Sequence, residues 1–141
     1  MPGAATLETA VLASMMLATL GSRVALAHHS FSMFDPQKEQ ILVGTVTTFQ
    51  WTNPHTWIEL DVRDPDGKVT HWSIEGGSVV GLAREGWTHR TLQPGDTISL
   101  VMHPLRSGEH GGSLMGVVTA QGRVLGAPLH PSAKRITEAA H

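Results

Sequence analysis

The sequence predicts an all-β domain, a small five-stranded OB-like barrel with one short helix between strands 3 and 4, behind an N-terminal signal peptide. Three observations predict it. Apolar and polar residues alternate with a period of two in several short stretches, the pattern of strands that bury one face. Turn signals separate these stretches: Asn53-Pro54, Asp64-Pro65-Asp66-Gly67, Pro94-Gly95-Asp96 and Gln121-Gly122. One helical pattern, Ser78 to Trp87, interrupts the series. A β-sandwich fits the same element order, and strand order alone does not separate the two.

The chain opens on residues 1–27, read as a cleavable signal. Ala10 to Leu20 (AVLASMMLATL) is an apolar run of eleven residues, and Ala25-Leu26-Ala27 is the small-x-small pattern a signal peptidase accepts. The run falls short of the roughly 20 apolar residues that span a bilayer. The stretch before it carries Glu8 and no Lys or Arg, so the usual basic n-region is missing. A buried N-terminal helix is the competing reading. No later segment is apolar enough to cross a membrane as a helix.

Residues 28–40 (HHSFSMFDPQKEQ) show no period and read as an arm. The barrel is expected over 41–127. Ile41 to Trp51 is rich in β-branched and aromatic residues. His55 to Arg63 alternates cleanly, with Thr56, Ile58, Leu60 and Val62 on one face and His55, Trp57, Glu59, Asp61 and Arg63 on the other. A three-residue Pro65-Asp66-Gly67 loop sets Asp64 against Lys68, and then Leu60 faces Trp72 and Asp61 faces His71. This register gathers the large apolar groups on one side.

In the helical stretch Ser78 is the expected cap, Val79, Leu82 and Ala83 share a face, and Gly86 ends the element. Thr97 to His103 alternates through Ile98, Leu100 and Met102, and Pro104 closes it. Ser107 to Ser113 reads as a flexible glycine-rich loop, Leu114 to Ala120 as another strand, and Arg123 to Leu125 as a short continuation. Residues 128–141 read as a tail.

Composition narrows the chemistry. There are 10 Lys and Arg against 12 Asp and Glu, a net charge of −2. Removing the signal takes one of each sign (Arg23 and Glu8), so the balance holds. No basic face favours nucleic acid. The absence of Cys excludes disulfides, thiolate metal sites, a thiol nucleophile and a lipoprotein anchor. Nine His in 141 residues is an excess, and it is the main compositional pointer to chemistry.

The strings HHSFSMFD, GTVTTFQWTNPHTWIELDV, WSIEGGS, LQPGD, HPL and GGS resemble those of an uncharacterised family of small exported proteobacterial proteins. The resemblance runs over roughly 28–126. It implies export and a small β domain, and it places His28, His29, His55 and His103 within recurring motifs. It brings no activity with it.

The residues themselves point to metal. Cleavage behind Ala27 gives His28 a free α-amine, which chelates a metal together with its imidazole. That amine titrates near 7.7–8.0, so deprotonation costs little at neutral pH. His29 adds an imidazole, and His55 and His103 sit at strand ends where they can join. Imidazole suits copper and zinc, and copper heads the divalent affinity order. Against this, no HxH or HxxxH pair stands on one element, and each His alone is also explained as a hydrogen-bonded strand end. Met33, Met102 and Met115 are possible thioether ligands, though Met102 alternates as a core residue does.

The expected function is therefore a periplasmic metal-binding protein, with copper (zinc as the other option), acting as carrier or sensor rather than catalyst. The alternative is a non-enzymatic envelope module that grips a small molecule, glycan or protein through a sheet face, with Trp57 as the contact residue. No G-x-S-x-G elbow, phosphate loop or dinucleotide motif is present to name an enzyme.

Overall fold

The chain divides into two units, Met1–Met33 and Phe34–His141. The computed structural model describes residues 32–126, and the fold is that of the second unit. The signal segment, His28, His29 and the tail 128–141 lie outside the described residues.

Six strands and one helix succeed one another: β1 Gln40–Gln50, β2 Trp57–Arg63, β3 Val69–Glu75, α1 Val79–Arg84, β4 Thr97–Pro104, β5 Gly111–Val118 and β6 Val124–Gly126. They form one sheet in the order β3-β2-β1-β4-β5-β6, with a further β3–β5 pairing. That pairing is parallel and joins Ser73–Glu75 to Gly111–Ser113. It closes the circuit β1-β2-β3-β5-β4 into a five-stranded barrel of OB type, with α1 between strands 3 and 4. A sandwich would need two sheets; a single sheet closing on itself decides the matter. β6 extends β5 beyond the barrel, through Gly116↔Gly126 to Val118↔Val124.

The β2–β3 hairpin has the expected register, with Leu60↔Trp72, Asp61↔His71 and Arg63↔Val69. Its turn explains why. The Asp64 amide donates to the Lys68 carbonyl (3.0 Å), and the Lys68 amide donates to Asp64 Oδ1 (2.8 Å). Gly67 takes the left-handed conformation, φ 83°. The turn pins the register, and the register points Ile58, Leu60 and Ile74 inward, where they are at most 1% exposed.

β1 behaves differently from a simple alternating strand. Its pairing with β2 shifts between Val46 and Thr48. Leu42 and Val46 point into the core before this bulge, and Phe49 packs against it after. The extra residue lets one strand serve the core along its whole length as the barrel curves. Phe49 then meets Trp87 and Trp51, at ring-centroid distances of 6.0 and 5.7 Å.

The helix is shorter than Ser78 to Trp87 but ends as expected. Ser78 Oγ accepts from the Gly81 amide (3.1 Å), and Asn53 Oδ1 accepts from the Val79 amide (3.2 Å). At the other end the Gly86 amide donates to the Ala83 carbonyl and the Trp87 amide to the Leu82 carbonyl. This is a Schellman closure with Gly86 left-handed at φ 88°. It drives Trp87 back into the core, where it is 2% exposed.

One expectation fails at the glycine-rich segment. Ser107 to Ser113 is not wholly a loop, because β5 begins at Gly111. The His110 carbonyl accepts from the Ser73 amide (3.1 Å), and its ring lies 4.9 Å from that of Trp72. Gly111 and Gly112 are strand residues because they pair with Ser73 and Ile74 of β3, and the close packing there requires glycine. A Cβ on Gly112 would fall 2.6 Å from the His103 carbonyl oxygen.

Candidate functional site on the outer barrel face

The outward residues of four strands form a row. Trp57 lies opposite Glu75, Glu75 opposite Ser113, and Ser113 opposite His103. Their neighbours Ile58, Ile74 and Met102 are fully inside, so alternation sends the row to the outer surface. β3–β5 closure is what joins its two halves. Adjacent strands lie about 4.8 Å apart, so Glu75 and His103 are roughly 10 Å apart across Ser113.

His55, just before β2, adds to this row. Its Nδ1 is bonded to Glu75 Oε1, with side chains 33% and 13% exposed. His103 Nδ1 donates to the Lys38 carbonyl (2.7 Å). The Asp35–Lys38 turn sets that carbonyl: the Lys38 amide donates to the Asp35 carbonyl (3.1 Å), and the Asp35 amide to the Pro104 carbonyl (2.9 Å). A carboxylate and a carbonyl oxygen only accept, so Nδ1 carries the proton in both imidazoles. In the neutral ring Nε2 then holds the lone pair.

A second cluster on the same face holds its charge differently. His71 Nδ1 faces Asp61 Oδ1 (2.8 Å), and Nε2 faces Glu59 Oε2 (3.0 Å). Glu59 Oε1 also accepts from Ser73 Oγ (2.9 Å). Both ring nitrogens must donate, so the arrangement holds the imidazolium. The Asp61 hydrogen bond raises the His71 pKa above its ordinary value of 6.5; slight burial opposes this, and Glu59 adds to the rise. The Asp61–His71 pair was legible from the hairpin register. The Glu59 contact was not, although Glu59 sits diagonally from His71 on one face, within reach of a long side chain.

His71 should therefore titrate with a recognisable sign. Its stabilising contribution is fully present below the unfolded-state pKa of about 6.5 and is lost as pH rises through the higher folded value. The side chain is 57% exposed, so solvent screening keeps the effect on stability small. The direct readout is the His71 ring-proton shift by NMR. Asp61→Asn should bring its midpoint down; an unchanged midpoint would show that the Asp61 contact is not made in solution.

The predicted site residues thus part into groups. His55, His103 and Trp57 share the outer face, with the two imidazoles fixed at Nδ1. His28 and His29 lie outside the described residues. Met102 is fully buried, and Met115 packs against Val101 and Val118. Among the described residues, no group of three or more His, Asp or Glu side chains is arranged to hold a metal ion. No described helix is long and apolar enough to cross a membrane.

Comparison with known proteins gives three findings. A family model described as a family of unknown function (DUF6152) matches residues 16–114. No curated protein matches the chain. Among solved structures, the mitochondrial single-stranded DNA binding protein Rim1 from S. cerevisiae is similar at 9% identity and a TM-score of 0.44, over 58% of this chain and 93% of that one. A likeness that distant carries no argument about what this chain binds.

Proposed function

We propose, from the premise that this chain belongs to the DUF6152 family of unknown function, that it is an exported periplasmic metal-binding protein. Copper is the metal and carrier or sensor the role. The reading assigns the first ligands to the α-amine and imidazole of His28 in the processed chain, with His29 beside them. His55 and His103 supply further imidazoles.

One observation supports it most. Each of these two imidazoles has Nδ1 tied to an oxygen acceptor, Glu75 in one case and the Lys38 carbonyl in the other. Metal-binding histidines almost always carry such a partner, which fixes the tautomer and aims Nε2. A histidine serving only as a strand-end hydrogen bond needs one partner too, so the test must be binding itself.

The experiment is calorimetric titration of the processed chain, with an authentic His28 N-terminus, by Cu(II) and Zn(II). A form extended by one Met is titrated beside it. Tight one-to-one Cu(II) binding, lost in the extended form, is the expected result. Binding no tighter than about 10 μM, near −7 kcal/mol, would overturn the reading.

A second reading is favoured by the Trp57–Glu75–Ser113–His103 row, a continuous outward strip with a half-buried Trp at one end. On that reading the chain is an envelope binding module, and Trp57 is its contact residue. Trp57→Ala would then abolish capture of the partner, while stripping metal would leave it intact.

A further inference from the structure

β1 extends the outward row past Trp57. Gln50 lies opposite Trp57 in the β1–β2 register, while its neighbour Phe49 lies opposite Ile58 and packs against the core. Alternation therefore turns Gln50 outward, and it is exposed. Trp57 stands between Gln50 on one side and Glu75 on the other, each one strand spacing away, about 4.8 Å.

The polar atoms of this strip are within reach of solvent. Among the described residues neither the Trp57 indole N–H nor the Ser113 hydroxyl has a hydrogen-bond partner, and no other ring stacks on Trp57. Both residues are only half-buried. Among the described residues the sole fully buried side-chain nitrogen or oxygen without a partner belongs to Trp87, so the Trp57 and Ser113 atoms keep solvent contact. Glu75 bonds His55 through Oε1, which leaves Oε2 to accept elsewhere. His55 and His103 each keep a lone pair at Nε2. No Lys or Arg stands in the row.

We propose that the strip binds a neutral saccharide, one pyranose ring lying on the Trp57 indole with its edge hydroxyls between Gln50 and Glu75. The inference rests on the reading of the chain as an envelope binding module and names the ligand class of that module. Three features select it. An indole face carries partial negative charge, and a pyranose with equatorial hydroxyls presents axial C–H bonds to it. The strip mixes donors and acceptors: Gln50 and Ser113 offer both, the Trp57 N–H donates, and Glu75 accepts. Sugar hydroxyls do both and match either kind. The row holds a carboxylate and no Lys or Arg, so a phosphate or carboxylate ligand would meet repulsion. That charge pattern sets the sugar apart from a nucleotide or an anionic lipid.

The test titrates cellotriose, a short chain of neutral glucose rings with equatorial hydroxyls, into the ¹⁵N-labelled full chain. Trp57→Phe, whose spectrum lacks one indole signal, assigns the Trp57 resonance. That resonance should shift saturably, with or without a metal chelator. The same trimer oxidised to a carboxylate at the C6 position of each ring should bind about tenfold more weakly. Trp57→Ala should abolish binding, read from the backbone resonances of β2 and β3. Gln50→Ala, at an exposed position, should leave the fold intact and weaken binding about threefold to tenfold.

No saturable shift up to about 20 mM cellotriose would overturn the proposal. Unchanged affinity in Gln50→Ala, or in a folded Trp57→Ala chain, would overturn it as well. The module reading fails separately, because it requires retention of the chain on a bacterial envelope fraction and loss of that retention in Trp57→Ala. Retention that depends on Trp57 without any cellotriose binding would sink the saccharide and leave the module standing.

Discussion

A Gly112→Val chain should lose about 3 kcal/mol of folding stability or more, a large part of what a domain of this size possesses. Gly112 stands where β5 passes β4, opposite Pro104. A Cβ there would fall 2.3 Å from Met102 Sδ and 2.6 Å from the His103 carbonyl oxygen. The thioether can rotate away. The carbonyl cannot, because it belongs to a paired strand, so the two strands must separate.

That separation would reach the candidate site directly. Gly112 adjoins Ser113, and the β3–β5 contact that closes the barrel runs through Gly111, Gly112 and Ser113. Urea denaturation is the measurement. Gly77→Ala is the matched control, since its Cβ would meet only Leu82 at 3.5 Å and should change stability little. Equal midpoints for the two variants would mean that β4 and β5 are not packed as described.

The second large effect concerns metal affinity. On the proposed metal-binding reading, His28→Ala in the processed chain should weaken Cu(II) binding about a hundredfold, near 2.7 kcal/mol, because it would remove one arm of the amine–imidazole chelate. His55→Ala and His103→Ala should each cost about tenfold or less. Glu75→Gln should act through His55, since it replaces the carboxylate bonded to Nδ1, and outer partners of ligating histidines contribute tenfold to a hundredfold. The ranking is the informative part. If His103→Ala or His55→Ala weakened binding more than His28→Ala, the metal would belong to the barrel face and not to the processed N-terminus.

Much of the fold was legible in the residues. Alternation in Thr56 to Val62 named the buried face of β2. The Asp64–Gly67 turn fixed the register with β3, because an Asx-type hydrogen bond and one left-handed glycine leave a single way to close the loop. Ser78 and Gly86 bounded α1 by capping chemistry that depends only on local backbone geometry. These features were readable because each rests on residues within a few positions of one another.

What failed to show was set by contacts distant in sequence. The bulge in β1 leaves no local mark in a run of β-branched residues; it exists because the strand must track a closed barrel. Gly111 and Gly112 read as a loop, since two adjacent glycines weaken any local strand preference. They are strand because they pair with Ser73 and Ile74 of β3, and they are glycine because Met102, the His103 carbonyl and Leu105 leave no room for side chains. The second carboxylate on His71 was likewise a matter of diagonal reach across a sheet.

The site divides along the same line. By itself the sequence determined a small, cysteine-free, all-β domain and singled out its histidines as the residues to examine. Only the tertiary structure decided that the sheet closes into a barrel, and that closure brings His103, Ser113, Glu75 and Trp57 into one row with His55 bonded to it. The physical reason is range. Strand pattern, turns and caps are fixed by local sterics and hydrogen bonding, whereas neighbours across a parallel β3–β5 contact are chosen by how the whole apolar face is buried.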